Sequence, residues 1–257
     1  MRPEYIDRVK NRLWQNPFLK LAELLPSQCA VCRCWPTQAV CAACTARFAK
    51  GDSRCPCCAA LLPAGLRASS PQQCMDCIRQ PPPLDSTLAA LDYIYPWSGL
   101  ISAYKFGGQS GWAPFFAGLL LKGPGVAQAL KNLHPTDWVL PIPLSKERLQ
   151  TRGFNQSWEL TKALAGQSGC PSQTSSTLLL RVKNTRPQTD LKREARLANV
   201  KGAFQVDPLR AADLQGRRVV LVDDVMTSGA SLFTAAEVLR AAGAAHITGI
   251  VLARTPQ

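Results

Sequence analysis

The 257 residues carry 30 Lys and Arg against 17 Asp and Glu, a formal charge of +13, and 46% of them are apolar. This composition describes a globular chain with a real core, organised as one large domain or two smaller ones, and it excludes a disordered polar chain. The charge favours anionic partners such as nucleic acid, polyphosphorylated sugars or acidic surfaces; two histidines, His134 and His246, are too few for a His-based triad or metal cluster.

In chain order, Val9, Leu13, Phe18, Leu21 and Leu25 fall near helical spacing with a break at Pro17. They predict one or two amphipathic helices, packed on their own chain, within an extension over residues 1–28. Arg2, Glu4, Asp7, Arg8 and Lys10 leave no apolar signal core there, and no uninterrupted apolar run approaches the ~20 residues of a membrane span. A cytoplasmic protein with no membrane span is expected.

From residue 29 the composition changes to four pairs of one shape: Cys29 and Cys32, Cys41 and Cys44, Cys55 and Cys58, Cys74 and Cys77. A Cys-x-x-Cys turn aims two thiolates at one point, and two turns complete a closed four-sulfur site, so eight ligands predict two structural Zn²⁺ ions. Chain order suggests one site from the first two pairs and one from the last two, with interleaved pairing left open. Cys34, Cys57 and Cys170 stand outside the pairs, although Cys57 could replace a neighbour. Residues 29–83 thus read as a double zinc ribbon, too poor in large apolar residues to fold without metal. The stiff Gln80-Pro81-Pro82-Pro83 stretch ends it.

Residues 84–257 read as a second domain of alternating strands and helices. A strand over 88–95 leads to a helix over 98–106, ending at Gly107-Gly108 after Lys105. Two further helices, over 112–121 and 126–133, precede an apolar strand over 138–142. A basic loop with Lys146, Arg148 and Arg152 then runs into a helix over 158–165. The stretch from Arg181 to Lys201 carries seven basic residues against two acids and reads as a mobile loop before a short helix.

The most informative stretch lies near the C-terminal end. Val219 to Val222 is an unbroken apolar run suited to a parallel strand buried on both faces, and it runs straight into Asp223 and Asp224. Two acids at the carboxyl end of such a strand serve no packing purpose; they sit where open α/β sheets place ligands. Thr227, Ser228, Gly229, Ala230 and Ser231 follow, just before an apolar helix over 232–239, so the loop can cradle a phosphate on its N–H groups. Acids beside a phosphate cradle point to a phosphorylated sugar, and the basic loop at 146–152 occupies the equivalent position after its own strand. A last strand spans 246–252.

The run from Val219 to Ser231 resembles the 5-phosphoribosyl-1-pyrophosphate (PRPP) signature of type I phosphoribosyltransferases. That resemblance implies a parallel sheet with helices on both faces, preceded here by the small double zinc-ribbon domain. It gives Asp223 and Asp224 the catalytic place on the ribose hydroxyls, directly or through Mg²⁺, and residues 227–231 the 5′-phosphate; Lys105, Lys146, Arg148 and Arg152 would meet the pyrophosphate. The four cysteine pairs, Lys105 to Gly108, Arg152 to Ser157, Thr185 with Gln188, and Arg196 with Asn199 further resemble the ComF/GntX family, associated with DNA uptake in natural transformation. Ala59 departs from the glycine usual after the third pair. The family implies two readings: a PRPP-binding protein of DNA uptake that contacts single-stranded DNA and the uptake machinery, or a working phosphoribosyltransferase of nucleotide metabolism with a nitrogenous acceptor.

Overall fold

The structure, a computed structural model, describes residues 27–35, 37–51, 53–63, 73–183 and 200–256. The expected N-terminal helices and most of the basic stretch between Arg181 and Lys201 lie outside them. The chain divides into two compact units between Lys50 and Gly51. The second cysteine cluster therefore belongs to the unit that holds the sheet, whereas the sequence pattern placed the boundary near Leu84.

In the first unit, Ser27 pairs with Thr37 in an isolated antiparallel bridge, and helix α1 (Ala42–Phe48) starts at Cys41. The second unit opens with the other cysteine segment, in which helix α2 (Met75–Arg79) follows Cys74. Strands β1 (Ser86–Asp92), β2 (Trp138–Pro141), β3 (Gln173–Thr174), β6 (Arg218–Met226) and β7 (His246–Arg254) form a parallel sheet in the order β1-β7-β6-β2-β3. Strands β4 (Leu179–Arg181) and β5 (Phe204–Val206) form a separate antiparallel ribbon.

Between β1 and β2 lie helices α3 (Trp97–Phe106), α4 (Ala113–Lys122) and α5 (Val126–Lys131). The segment read as a basic loop is largely helical, forming α6 (Lys146–Arg152) before α7 (Gln156–Ser168). Ser145 caps α6 by accepting the Arg148 N–H, and Gly153 ends it in the left-handed region at φ 77°. Helix α8 (Ala230–Ala241) joins β6 to β7.

Alternation along β6 explains the layers. Val219 and Leu221 pack with Ala235, Ala236 and Leu239 of α8, while Val220 and Val222 point to the opposite face, where α4 and α7 lie against each other and the sheet. Burying apolar area at about 25 cal/mol per Å² on both faces is what selects the β-branched run. The expected architecture, a parallel sheet with helices on both faces, is the one observed. Strand β6 is longer than its apolar run: it stays paired to β7 through Asp223, Val225 and Met226, so both acids lie within the sheet.

Candidate functional site

The carboxyl ends of β2 and β6 open on a cleft of about 470 Å³. Its walls include Asp223, Asp224, Thr227, Gly229, Ala230 and Ser231 from β6 and the loop into α8, Arg148 and Arg152 from α6, and Lys105 with Phe106 from α3. Ser228 and Lys146, both expected at the site, are not among its lining residues. Lys146 is exposed on the first turn of α6, and the Ser228 hydroxyl turns back to accept the Ala230 N–H at 3.4 Å.

The acids point to different partners. Asp224 is buried, and its Oδ1 meets Lys105 Nζ at 2.9 Å; Oδ2 is buried with no hydrogen-bond partner among the described residues. Asp223 Oδ1 accepts from Ser157 Oγ at 2.9 Å and from the Asp224 N–H at 2.9 Å. Burial, then the neighbouring Asp224 carboxylate, pushes the Asp223 carboxyl up to about 7. A buried acceptor with nothing among the described residues to accept from, beside a second carboxylate that resists ionising, is a donor set a hard divalent cation would satisfy. Asp223 and Asp224 are the residues that would hold Mg²⁺.

The cationic wall is larger than the sequence pattern suggested. Arg181, at the end of β4, joins Arg148 and Arg152 in lining the cleft. Burial first, then Arg148, lowers Arg181 to about 10, and burial with Arg152 lowers Arg148. Such mutual repulsion is relieved by a polyanion. The Arg152 guanidinium stands 4.6 Å from the ring centre of Phe106, which is largely exposed at the cleft mouth.

The loop between β6 and α8 is shaped for close approach. Gly229 has φ 81° and caps α8; a Cβ there would be strained by the backbone and would lie 2.6 Å from Phe233 Cζ and 2.7 Å from Met226 Cε, so both side chains would have to shift. The Gly-Phe-Asn-Gln-Ser stretch serves the site from below. Asn155 Nδ2 donates to the Ile142 carbonyl and its Oδ1 accepts the Ser157 N–H, which sets the Ser157 hydroxyl on Asp223. Phe154 packs on buried Tyr104 at 5.9 Å, and the Tyr104 hydroxyl donates to the Gln156 carbonyl.

The cysteines form two groups in chain order. Cys55, Cys58, Cys74 and Cys77 have sulfurs within 4.8 Å of one another. In the other group the same holds for Cys29, Cys32, Cys34 and Cys41, so Cys34 stands where the spacing had placed Cys44. Cys44 is nevertheless buried beside them; burial and the Cys41, Cys32 and Cys29 sulfurs push its thiol up to about 12. The Cys32–Cys41 and Cys58–Cys74 separations are both 3.6 Å, close to the edge of about 3.8 Å of a tetrahedron with Zn–S bonds of about 2.3 Å. Backbone N–H groups of Cys41 and Cys74 donate to the sulfurs of Cys29 and Cys55 at 3.3 Å, the support a bound thiolate needs. Both groups are arranged to hold a metal ion.

Over 240 residues, 90% of this chain and 98% of the relative, the sequence is 33% identical to the DNA utilization protein YhgH of Salmonella typhimurium. The chain belongs to the ComF/GntX family. Within that family it is also 33% identical to competence protein F of Haemophilus influenzae, over 71% of this chain and 79% of that one. Competence protein ComFC of Bacillus subtilis shares 33% over 46% of this chain and 44% of its own. Residues 174–257 match the phosphoribosyl transferase domain family. Among solved structures, the hypoxanthine-guanine phosphoribosyl transferase of L. donovani is similar with a TM-score of 0.34 and 15% identity, covering 55% of this chain and 71% of that one. No helix of the described residues is long and apolar enough to cross a membrane.

Proposed function

We propose that this ComF/GntX-family chain binds PRPP with Mg²⁺ in the cleft between β2 and β6 and acts in DNA utilisation or uptake, contacting single-stranded DNA. The observation that carries the reading is the meeting, in one cleft, of paired acids, a glycine-capped helix N-terminus and four cations. Each part answers one part of the ligand. Asp223 and Asp224 face the ribose hydroxyls, residues 227–231 the 5′-phosphate, and Arg148, Arg152, Arg181 and Lys105 the pyrophosphate. Mg²⁺, when bound by the acids, would supply positive charge that offsets the negative charge of the pyrophosphate. Zinc in the two cysteine groups is structural. The relatives' names carry the DNA role, and the cytoplasmic setting is the one in which eight or more thiols stay reduced.

A second reading, transfer of ribose 5-phosphate to a nitrogenous acceptor, is favoured by Phe106, an exposed aromatic at the cleft mouth beside Arg152 on which a planar base could stack. In that reaction the arginines stabilise charge developing on the leaving pyrophosphate, while Ser157 and Lys105 keep the acids oriented.

Thermal unfolding with ligand tests the first reading. At a hundredfold excess over its dissociation constant, PRPP with Mg²⁺ should stabilise the protein by about 2.7 kcal/mol, a Tm rise of roughly 5–10 °C, and ribose 5-phosphate by less. Equal binding by wild type and by the double variant Asp223→Asn, Asp224→Asn would refute it. Pyrophosphate release with a panel of bases separates transfer from binding alone. Single-stranded DNA should bind with a log–log salt slope of roughly 0.7 per phosphate contact, flattened by Ala at Lys192, Arg193 and Arg196; an unchanged slope would move the DNA site elsewhere.

A further inference from the structure

Arg254, the last residue of β7, is 2% exposed. Its Nε donates at 3.0 Å to the carbonyl of Cys58, which belongs to the second cysteine group. Its Nη1, with two hydrogens shared among them, lies within hydrogen-bonding distance of the carbonyls of Met226 at 3.1 Å, Thr255 at 3.0 Å, and Thr227. Met226 ends β6, and Thr227 begins the loop into α8. One planar guanidinium thus spans a metal-ligand turn and the root of the phosphate loop.

The turn it holds is gripped throughout. The Pro56 carbonyl accepts from the Thr87 N–H at 2.7 Å and the Cys57 carbonyl from Thr87 Oγ1 at 2.7 Å; the Ala59 carbonyl accepts from Arg54, which also pairs with Asp92 at 2.9 Å. Four successive carbonyls, 56 to 59, therefore answer to donors on β1, β7 and Arg54. The turn is wound around its sulfurs, and Ala59 within it takes φ 55°, a left-handed conformation that a non-glycine residue keeps only under constraint. Releasing Cys55 and Cys58 would free that turn to withdraw the Cys58 carbonyl, which would leave a buried charge short of one acceptor.

We propose that Arg254 is a positioning residue that couples the second cysteine site to the phosphate loop. Metal held by Cys55, Cys58, Cys74 and Cys77 sets the backbone behind Thr227 to Ser231, and a phosphate bound by that loop slows the release of the metal. The coupling is reciprocal, as binding linkage requires. It rests on the reading of that loop as the phosphate site. The first cysteine group, in the other compact unit, has no part in it.

The test follows zinc release from the full-length, zinc-loaded protein into excess chromophoric chelator, with and without ribose 5-phosphate, in buffer free of Mg²⁺. In wild type, saturating ribose 5-phosphate should slow one of the two release phases about five-fold or more, the lower end of affinity coupling between linked sites, with the difference falling on dissociation. Arg254→Lys, a point charge that cannot reach both sides, should speed that phase without ligand and abolish the effect of ligand. Thr87→Val loosens the turn but leaves Arg254 in place, so it should speed the phase and keep its ligand dependence. Calorimetric binding of ribose 5-phosphate with both phases unchanged would overturn the coupling, as would wild-type behaviour in Arg254→Lys. Should ribose 5-phosphate fail to bind, the phosphate-site reading falls, and the ligand-free comparison of Arg254→Lys with wild type still decides whether Arg254 holds the metal turn. Should Arg254→Lys not fold, the wild-type ligand comparison decides alone.

Discussion

Asp223→Asn should stabilise the ligand-free protein while destroying its ligand grip. The Asp223 carboxyl rises from 3.8 to about 7 because burial and Asp224 oppose its charge. Its folded value lies above its unfolded value, so its contribution to stability is present below about pH 4 and is lost as pH rises through about 7. The full shift corresponds to about 4 kcal/mol. Partial exposure of the side chain to the cleft lets water screen the charge, and about 2 kcal/mol is the expected share. Asn keeps the Oδ1 that accepts from Ser157 and from the Asp224 N–H, so little packing is lost. At pH 8 the variant should therefore melt roughly 4–8 °C above wild type, and the gap should close toward pH 4–5. Differential scanning at a series of pH values reads the gap directly; groups such as Asp85, whose pKa is lowered by the Ile247 N–H and Arg240 against the effect of burial, cancel in the difference. A variant less stable than wild type at pH 8, or a gap independent of pH, would refute the like-charge account of the pair.

Three further outcomes are expected. Metal analysis of reduced, chelator-free protein should return two zinc ions per chain; Cys55→Ser should lower the count to one and lower the melting temperature of the sheet-bearing unit, and a metal-free wild type would refute both sites. Ser157→Ala removes the hydroxyl that supports ionised Asp223, so the pH midpoint of Mg²⁺-dependent PRPP binding should move upward, with a fold cost of about 1 kcal/mol; an unmoved midpoint in titrations at several pH values counts against that role. Gly229→Ala forces a side chain into φ 81° against Phe233 and Met226, a strain of about 1–2 kcal/mol, and should weaken ribose 5-phosphate binding; unchanged affinity by calorimetry would exclude the loop as the phosphate cradle.

Much of the fold was readable because its signals are local. An apolar run that ends in two acids makes β6 and its ligand edge legible within fifteen residues, and evenly shaped cysteine pairs announce metal groups without reference to the rest of the chain. What escaped depends on distant partners. Ser157 meets Asp223 across 66 residues and Arg254 meets Cys58 across 196, and nothing in their own neighbourhoods marks either contact. Arg181 reads as the first charge of a basic stretch, and only the closure of β4 on β5 turns it into the cleft. Helix α6 was missed although its signals were present: Ser145 as cap and Gly153 as stop bracket seven residues whose charges suggested a loop. Cys34 was passed over because a spacing of two residues breaks the paired pattern, yet the turn at Arg33, with φ 65°, brings its sulfur 3.3 Å from that of Cys32.

The continued pairing of β6 with β7 beyond the acids, from Asp223 opposite Val251 to Met226 opposite Arg254, has a thermodynamic consequence. The backbone of the acids carries little freedom to surrender, so a sugar arriving there meets an arrangement already made. The ordering entropy of binding falls instead on the arginines of α6 and β4, long side chains whose rotamers are costly to fix. Amide hydrogen exchange at residues 222–226 should then be slow with or without ligand, and ligand-dependent protection should appear around residues 146–152. Fragments that keep the ribose but lack the pyrophosphate would bind with a smaller entropic penalty per contact than the full ligand, a difference that calorimetry resolves.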